Sequence, residues 1–270
     1  MADEGAGLEI SAIEAVEWRE PAPGGGSQAQ VFRLADNRYA LVKFPENGQG
    51  QLVLANEFLC CQLAEFLGLP VNQAVRVIID ERIIQEPRST GQMPSNFTAG
   101  LRCGMIRFEN SQGATEQDVQ HCSNSAELHH VVVFEQLVNR QDGRQLLTYP
   151  APEGGQERKF AAYDYGYAFG GDGNWTTAQL QGIAAPVLPT QNPLTGQPYD
   201  GNGAPFAALI AKLRALDVAK LQDIIGQLHP PRWGLEVAAV APLVNFLDGR
   251  ARSLVEQFDQ RYQAPQLEGL

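Results

Sequence analysis

One charged residue interrupts the apolar strand pattern Tyr39–Phe44 (YALVKF), and a long helical pattern carrying its own acid follows. The six residues are rich in β-branched and aromatic side chains and read as a strand. Pro45–Gly50 (PENGQG) is a polar loop. Leu52, Leu54, Ala55, Phe58, Leu59, Leu63, Phe66 and Leu67 then recur at helical spacing along one broad face. Gly68 stops that helix and Pro70 prevents its continuation. Two readings of Lys43 stand side by side. A strand lysine ordinarily occupies an edge or a solvent face; alternatively it is held on nucleotide phosphates by a helix glutamate. Glu57, early in the helix among the apolar neighbours of ANEFL, is either that partner or an ordinary exposed residue.

Upstream, Pro23-Gly24-Gly25-Gly26-Ser27-Gln28 precedes a strand, Val31–Leu34, and a hairpin turn, Ala35–Arg38. A glycine-rich turn before a hairpin lets backbone N–H groups approach phosphates closely, or serves simply as a flexible linker. Far downstream, Phe160–Gly171 (FAAYDYGYAFGG) sets a lone acid, Asp164, at the end of an apolar run and beside Gly166. Such a carboxylate can hold a divalent metal over phosphates; the plain alternative is a strand ending in a turn.

A chain of 270 residues accommodates one large domain or two lobes with a sizeable core. The formal net charge of −11 argues against broad binding to a nucleic-acid backbone, which requires a basic surface. Cys60, Cys61, Cys103 and Cys122 form no CxxC pair, so a zinc site is not expected and Cys60 and Cys61 read as packed thiols. The acidic start, MADEGAGLEI, lacks the features of a signal peptide, and no apolar run approaches the ~20 residues of a membrane span. The expected compartment is a reducing cytoplasm, with no membrane partner.

Residues 8–18 read as a strand or helix leading into the fold. Ala74–Ile79 and Arg82–Ile84 read as strands, 86–100 as a loop, and Leu101–Phe108 as a strand, whereas 109–125 are polar and without pattern. Ala126–Val138 reads as a buried helix; its adjacent His129 and His130 point in different directions and make a poor metal pair. Residues 148–158 read as a hairpin turn and 170–205 as a long polar loop. Phe206–Leu216, Val218–Leu228 and Glu236–Tyr262 carry helical periodicity, with His229-Pro230-Pro231 as a break.

Together, GGGSQAQVF, YALVKF, ENGQG and LVLANEFLCCQLAEFLGLPV resemble the small lobe of the HipA-like kinases, and the match is closest to the short, single-module branch. The resemblance implies an α+β, two-lobed, protein-kinase-like fold. Its N-lobe (1–108) would be small, antiparallel and β-rich with one helix, and its C-lobe (109–270) mainly helical. It implies that Gly25, Gly26, Ser27 and Gln28 cover the phosphates, that Lys43 holds them, and that Glu57 orients Lys43. Arg107, Phe108 and Glu109 would form the hinge. Tyr163-Asp164-Tyr165-Gly166-Tyr167-Ala168-Phe169 is similar to the family's metal-binding motif, with Tyr165 in place of a histidine. The catalytic loop, Asn139–Leu147 (NRQDGRQLL), is shorter than the family pattern. Counting from the preceding helix puts the catalytic acid on Asp142. Counting back from Leu146-Leu147 puts the second metal ligand on Gln145 and the acid on Arg140. Asp142 is the carboxylate available; Gln145, neutral and one methylene longer than the family's asparagine, can offer a carbonyl oxygen, whereas magnesium prefers near-ideal octahedral geometry with hard oxygen ligands.

The implied cofactors are ATP and Mg2+. The implied activity is transfer of the γ-phosphate to a hydroxyl, on protein Ser or Thr. The alternatives are a pseudokinase or nucleotide-binding module acting through partner contacts, and a kinase with a small-molecule acceptor. An antitoxin-like partner accompanies classical family members; nothing in this sequence points to one.

Overall fold

The computed structural model describes residues 12–22, 27–86, 93–152, 154–171, 173–199, 203–228 and 233–263. Five strands near the N-terminus, β1 (Ala12–Pro21), β2 (Gln30–Leu34), β3 (Tyr39–Lys43), β4 (Ala74–Ile79) and β5 (Gly100–Ile106), close into a barrel in the order β1-β2-β3-β5-β4. Alternation turns Phe32, Leu34, Ala40, Val42, Val75, Val77 and Ile79 inward, where they pack with Trp18, Phe44 and Phe97. The sequence-based expectation of an antiparallel N-lobe is corrected at the closure, where Ala12–Glu14 pair parallel to Arg76–Ile78. Two register irregularities in β1, at Ala15/Glu17 and Trp18/Glu20, let that long strand curl enough to reach both β2 and β4.

The single expected N-lobe helix becomes two, α1 (Val53–Leu67) and the short α2 (Glu81–Gln85). Arg82–Ile84, expected as strand, lie in α2 because the Asp80 carboxylate accepts from the Arg82 amide at 2.8 Å and caps a helical turn. Helix α1 exceeds the expected one-sided burial: twelve of its fifteen residues are buried. One flank lies on β4 and β5 and the other on the C-terminal helices, with Phe58 packed 5.0 Å from the Trp233 ring. Its core therefore runs continuously into the second half of the chain.

That half holds a three-stranded sheet, β6 (Gln112–Ala114), β7 (Gln145–Pro150) and β8 (Arg158–Tyr163), ordered β6-β7-β8. The patternless stretch 109–125 thus supplies β6 and a short helix, α3 (Glu116–Val119), started by a Thr115/Asp118 capping box. The buried helix α4 (Leu128–Val138) precedes β7 and ends at Asn139 in the left-handed conformation. The expected loop 170–205 contains α5 (Thr177–Gly182), again begun by a capping box, Thr176/Gln179. Helices α6 (Ala207–Arg214), α7 (Val218–Gly226) and α8 (Val237–Phe258) follow; α8 packs on α4, α5, α6 and α7 and ends in a π turn, Asp259–Gln263. The break at His229-Pro230-Pro231 lies outside the described residues. The halves are joined a second time where the Ala162 amide of β8 donates to the Pro70 carbonyl at 2.8 Å. Among the described residues no helix is long and apolar enough to cross a membrane.

Candidate functional site

The outward face of β3 carries Tyr39, Leu41 and Lys43 in one row, since Ala40 and Val42 point into the barrel. Lys43 stands opposite Cys103 of β5, above α1, and is 4% exposed. An isolated ammonium so buried needs partners, and it has two. It forms an ion pair with Glu57 of α1, itself fully buried, and its Nζ donates to Asp164 Oδ1 at 2.7 Å. Three segments remote in sequence thus meet at one cation.

The electrostatics are unequal. Burial pushes the Glu57 carboxyl up to about 7, offset only in part by Lys43 and reinforced by Asp164. Burial is the largest single influence on Asp164 and acts to raise it, but the Lys43 charge, the hydrogen bonds with Glu57 and Lys43 and the Arg140 charge together outweigh it and bring that carboxyl down to about 2. Burial works against the charge on Lys43 too, and the two carboxylates outweigh it and raise its pKa. The second Glu57 oxygen, Oε2, has no hydrogen-bond partner among the described residues.

Asp164 follows β8 directly and adopts φ +61, a left-handed conformation uncommon outside glycine and enriched at functional sites. Its side chain is 35% exposed, so the carboxylate is reachable from solvent while Lys43 is not. The next residue, Tyr165, is fully buried, edge-on to Phe134 at 5.4 Å. A methyl group on Gly166 would sit 3.0 Å from Val53 Cγ1, 3.5 Å from Lys43 Nζ and 3.7 Å from Asp164 Oδ1. The tight contact is with Val53, and the lysine and the carboxylate lie at ordinary van der Waals distance.

Asn56, a polar residue inside the apolar helix, was not singled out by sequence reasoning. Its amide donates to the Gly166 carbonyl at 2.7 Å and accepts from Trp175 Nε1 at 2.9 Å. The start of α1 is fixed by the same segment: Leu52 N donates to Gly173 O and Gln51 N to Asn174 Oδ1, both at 2.8 Å. Gly173 (φ +75) is obligatory at this crossing, where a Cβ would lie 2.6 Å from Gln49 O. Helix α1 and the loop carrying Asp164 therefore form one hydrogen-bonded unit. A polar side chain in the middle of an apolar helical pattern was the signal available for Asn56.

The loop between α4 and β7 is organised by Arg140. Its side chain is 2% exposed, against 23% for Asp142. It grips both Asp142 oxygens (2.9 and 3.4 Å), donates to the Tyr163 carbonyl at 3.3 Å, lies 3.6 Å from Glu135, and stacks over Tyr165 at 4.9 Å. Of the two positions suggested for the acid, Arg140 is thus a buried brace and Asp142 is the carboxylate that reaches solvent. Gln145 opens β7, paired with Tyr163, which places it next to the residue that precedes Asp164.

The glycine-rich loop is described in part. Gly25 and Gly26 lie outside the described residues; Ser27 is buried and Gln28 adopts φ +49. Gln30 pairs with Val42, so the chain running back from Gln30 to Ser27 approaches the Lys43 end of β3. At the other end of the row, the Arg107 amide donates to the Tyr39 carbonyl at 2.8 Å and Phe108 stacks on Tyr149 at 3.9 Å. Glu109 is exposed. A cavity of about 470 Å³ opens there between Val31, Tyr39, Arg107 and Glu109.

No family model and no curated protein matches this sequence. Solved structures do match it in fold. The Helicobacter pylori proinflammatory kinase CtkA superposes with TM-score 0.57 at 12% identity, covering 93% of this chain and 98% of its own. The Golgi casein kinase superposes with TM-score 0.54 at 10% identity, covering 99% of this chain and 78% of its own. Its form with Mn/ADP bound gives 0.50 at 10% identity, covering 96% and 77%. The fold is kinase-like.

Proposed function

We propose that the chain is an ATP-dependent phosphotransferase that moves the γ-phosphate to a hydroxyl, with Ser or Thr of a protein as the acceptor class. The observation that carries this reading is the single buried ammonium of Lys43 shared between Glu57 on α1 and Asp164 in its left-handed turn. The site fits a metal–nucleotide pair better than a metal alone. Among the described residues no group of three or more His, Cys, Asp or Glu could hold an ion. Asp164 and the Gln145 amide oxygen would supply hard ligands, leaving the remaining positions to phosphate and water. Gly166 leaves the space beside Lys43 and Asp164 unfilled, where a methyl group would stand 3.5 Å from the ammonium and 3.7 Å from the carboxylate. A bound divalent metal would neutralise charge on the transferring phosphate.

The chain's own residues divide the remaining work. Lys43 would hold the phosphates as a charge already dehydrated and oriented by Glu57, so little reorganisation is left for the reaction itself. Ser27 and Gln28, with Gly25 and Gly26, would cover the phosphates, while Arg107, Phe108 and Glu109 would border the base at the far end of the β3 row. Asp142 would orient the acceptor hydroxyl, held by Arg140 in a fixed position relative to the strand that carries Asp164. We place the lobe boundary near residue 108, the membership in the HipA-like group, and the cytoplasm as compartment within the same proposal. Four cysteines that are all buried free thiols support the last of these.

A second reading, a nucleotide-binding pseudokinase, draws on the short loop, where Gln145 occupies the second ligand position and Arg140 already engages both oxygens of Asp142. Incubation of the purified chain with γ-labelled ATP and Mg2+ or Mn2+, followed by mass spectrometry, separates the two. Phosphorylated Ser or Thr that disappears with Asp164→Ala and with Asp142→Ala supports the kinase. Nucleotide-induced thermal stabilisation without transfer supports the pseudokinase. Absence of both effects refutes both readings.

A further inference from the structure

Arg250, in the middle of α8, is 6% exposed and has no carboxylate partner among its hydrogen bonds and ion pairs in the described residues. Its guanidinium is spent on backbone carbonyls. Nε donates to Leu137 O at 2.9 Å and to Gln136 O at 3.2 Å, Nη2 also donates to Gln136 O, and Nη1 donates to Ala184 O at 2.6 Å. Leu137 and Gln136 belong to the last turn of α4, whose terminal carbonyls carry the negative end of the helix dipole; Gln136 O also accepts from the Asn139 amide at 3.4 Å. Two residues beyond that turn begins the loop with Arg140 and Asp142. Ala184 belongs to the extended segment after α5. A plane of five N–H groups can serve both acceptors at once; an ammonium on a flexible stem cannot.

The segment that Arg250 reaches is held along its whole length by side chains from the same two helices. Gln257 accepts from Leu188 N at 2.9 Å and donates to Pro186 O at 2.8 Å, Gln136 accepts from Val187 N at 3.3 Å, and Arg261 donates to Pro189 O at 2.9 Å. Within this arrangement the Gln136 side chain ties α4's last turn to Val187, and Arg250 adds a guanidinium from α8 that bonds both that turn and Ala184. Its other face meets Phe246 at 5.0 Å, and Phe246 meets Phe169, five residues after Asp164 and bonded through its amide to Val138 O at 2.8 Å.

We propose that Arg250 is a positioning residue for phosphoryl transfer: it locks the Asn139–Arg144 loop and the Ala184–Pro189 segment into one rigid acceptor-side platform. The inference rests on the phosphotransfer reading and deepens it, because it assigns the acceptor side of the site to geometry fixed from α8. Among the described residues no hydrogen bond or ion pair joins Arg250 to Lys43, Glu57 or Asp164, so the nucleotide side should respond less to its loss.

The test is Arg250→Lys in the full chain, which keeps a cation at the α4 terminus but cannot span to Ala184. The expected result is binding of Mn-ADP, measured by thermal shift, within about twofold of wild type. ATP turnover with water or the chain itself as acceptor should fall by up to about 10²-fold in kcat, the scale for a small misplacement remote from the chemistry. Backbone amide exchange should accelerate in residues 139–144 and at Ala184, Ala185, Val187 and Leu188 together and remain unchanged in α1. Unchanged turnover overturns the proposal, as does a loss of turnover matched by an equal loss of Mn-ADP affinity, which marks general unfolding. If the wild-type chain itself transfers no phosphate, the phosphotransfer reading fails separately. Exchange then decides the clamp on its own: acceleration confined to one of the two segments refutes it, and acceleration in both supports the rigid platform. Arg250→Gln serves as a second variant, with a larger stability loss expected because the α4 carbonyls lose their charged donor.

Discussion

Replacing Lys43 by methionine tests the central electrostatic argument without requiring any activity. The side chain is removed from between two carboxylates, one fully buried and one about a third exposed. Deleting one partner of a buried ion pair costs about 3–5 kcal/mol, because the other charge is left without compensation. At roughly 2–4 °C per kcal/mol for a chain of this size, the expected fall in Tm is about 6–20 °C near pH 8. The pH dependence supplies a second constraint. In the wild type, Asp164 sits at about 2, below its ordinary 3.8, so it contributes stability above that ordinary value which is lost as pH falls through about 2. Glu57 sits at about 7, above its ordinary 4.5, so it costs stability progressively as pH rises from 4.5 through 7. Without the ammonium, both carboxyls are raised. The folded variant then binds more protons than the unfolded chain, and its stability rises as pH falls. The deficit of Lys43→Met should therefore narrow between pH 8 and 5, as read from paired urea titrations. A double variant, Lys43→Met with Glu57→Gln, should be less destabilised than the sum of the two singles, because it removes the orphaned charge. A deficit below about 1 kcal/mol that stays flat with pH, together with additive double-variant energies, would refute the reasoning.

Two further predictions concern the surroundings of the same cation. Gly166→Ala should lower Mg-ATP affinity, measured by thermal shift, with only a modest loss of ligand-free stability, since its methyl group meets Val53 at 3.0 Å and stands 3.5 Å from Lys43 Nζ. Gln145→Asn should raise the rate of γ-phosphate transfer in Mg2+, because a side chain shorter by one methylene draws back toward the strand end beside Asp164; an unchanged rate would mean that this position holds no metal.

Much of the site could be read from the sequence because charges inside apolar runs are conspicuous. Lys43 within YALVKF, Glu57 within ANEFL and Asp164 after FAAY were each visible as exceptions, and the structure brings these three together. What escaped was set by neighbours rather than by periodicity. Arg82–Ile84 carry β-type residues, yet a cap from Asp80 turns them into helix. The parallel closure of β1 on β4 depends on a register between residues 64 apart, which no local pattern specifies. Helix α1 reads as one-sided because Asn56 and Glu57 break the apolar pattern, although both are buried, Asn56 bonded to the Asp164 loop and Glu57 paired with Lys43 of β3. Arg140 and Arg250 present the same difficulty, since a lone arginine reads as solvated. Arg250 nonetheless shares the stripe of Leu243, Leu247 and Leu254 along α8, so its burial was written in the helix spacing.

The burial of α1 on both flanks also bears on how the molecule comes apart. A helix whose apolar surface is divided between the barrel and the C-terminal helices leaves neither part a complete core of its own. Cutting the chain near residue 108 would strip Phe58 of Trp233 and leave the amides of Leu52 and Gln51 without Gly173 and Asn174. Heat should therefore melt this protein in a single cooperative step, with both halves lost together. The proposed hinge would then be a boundary in the chain and not in the energy that holds it folded.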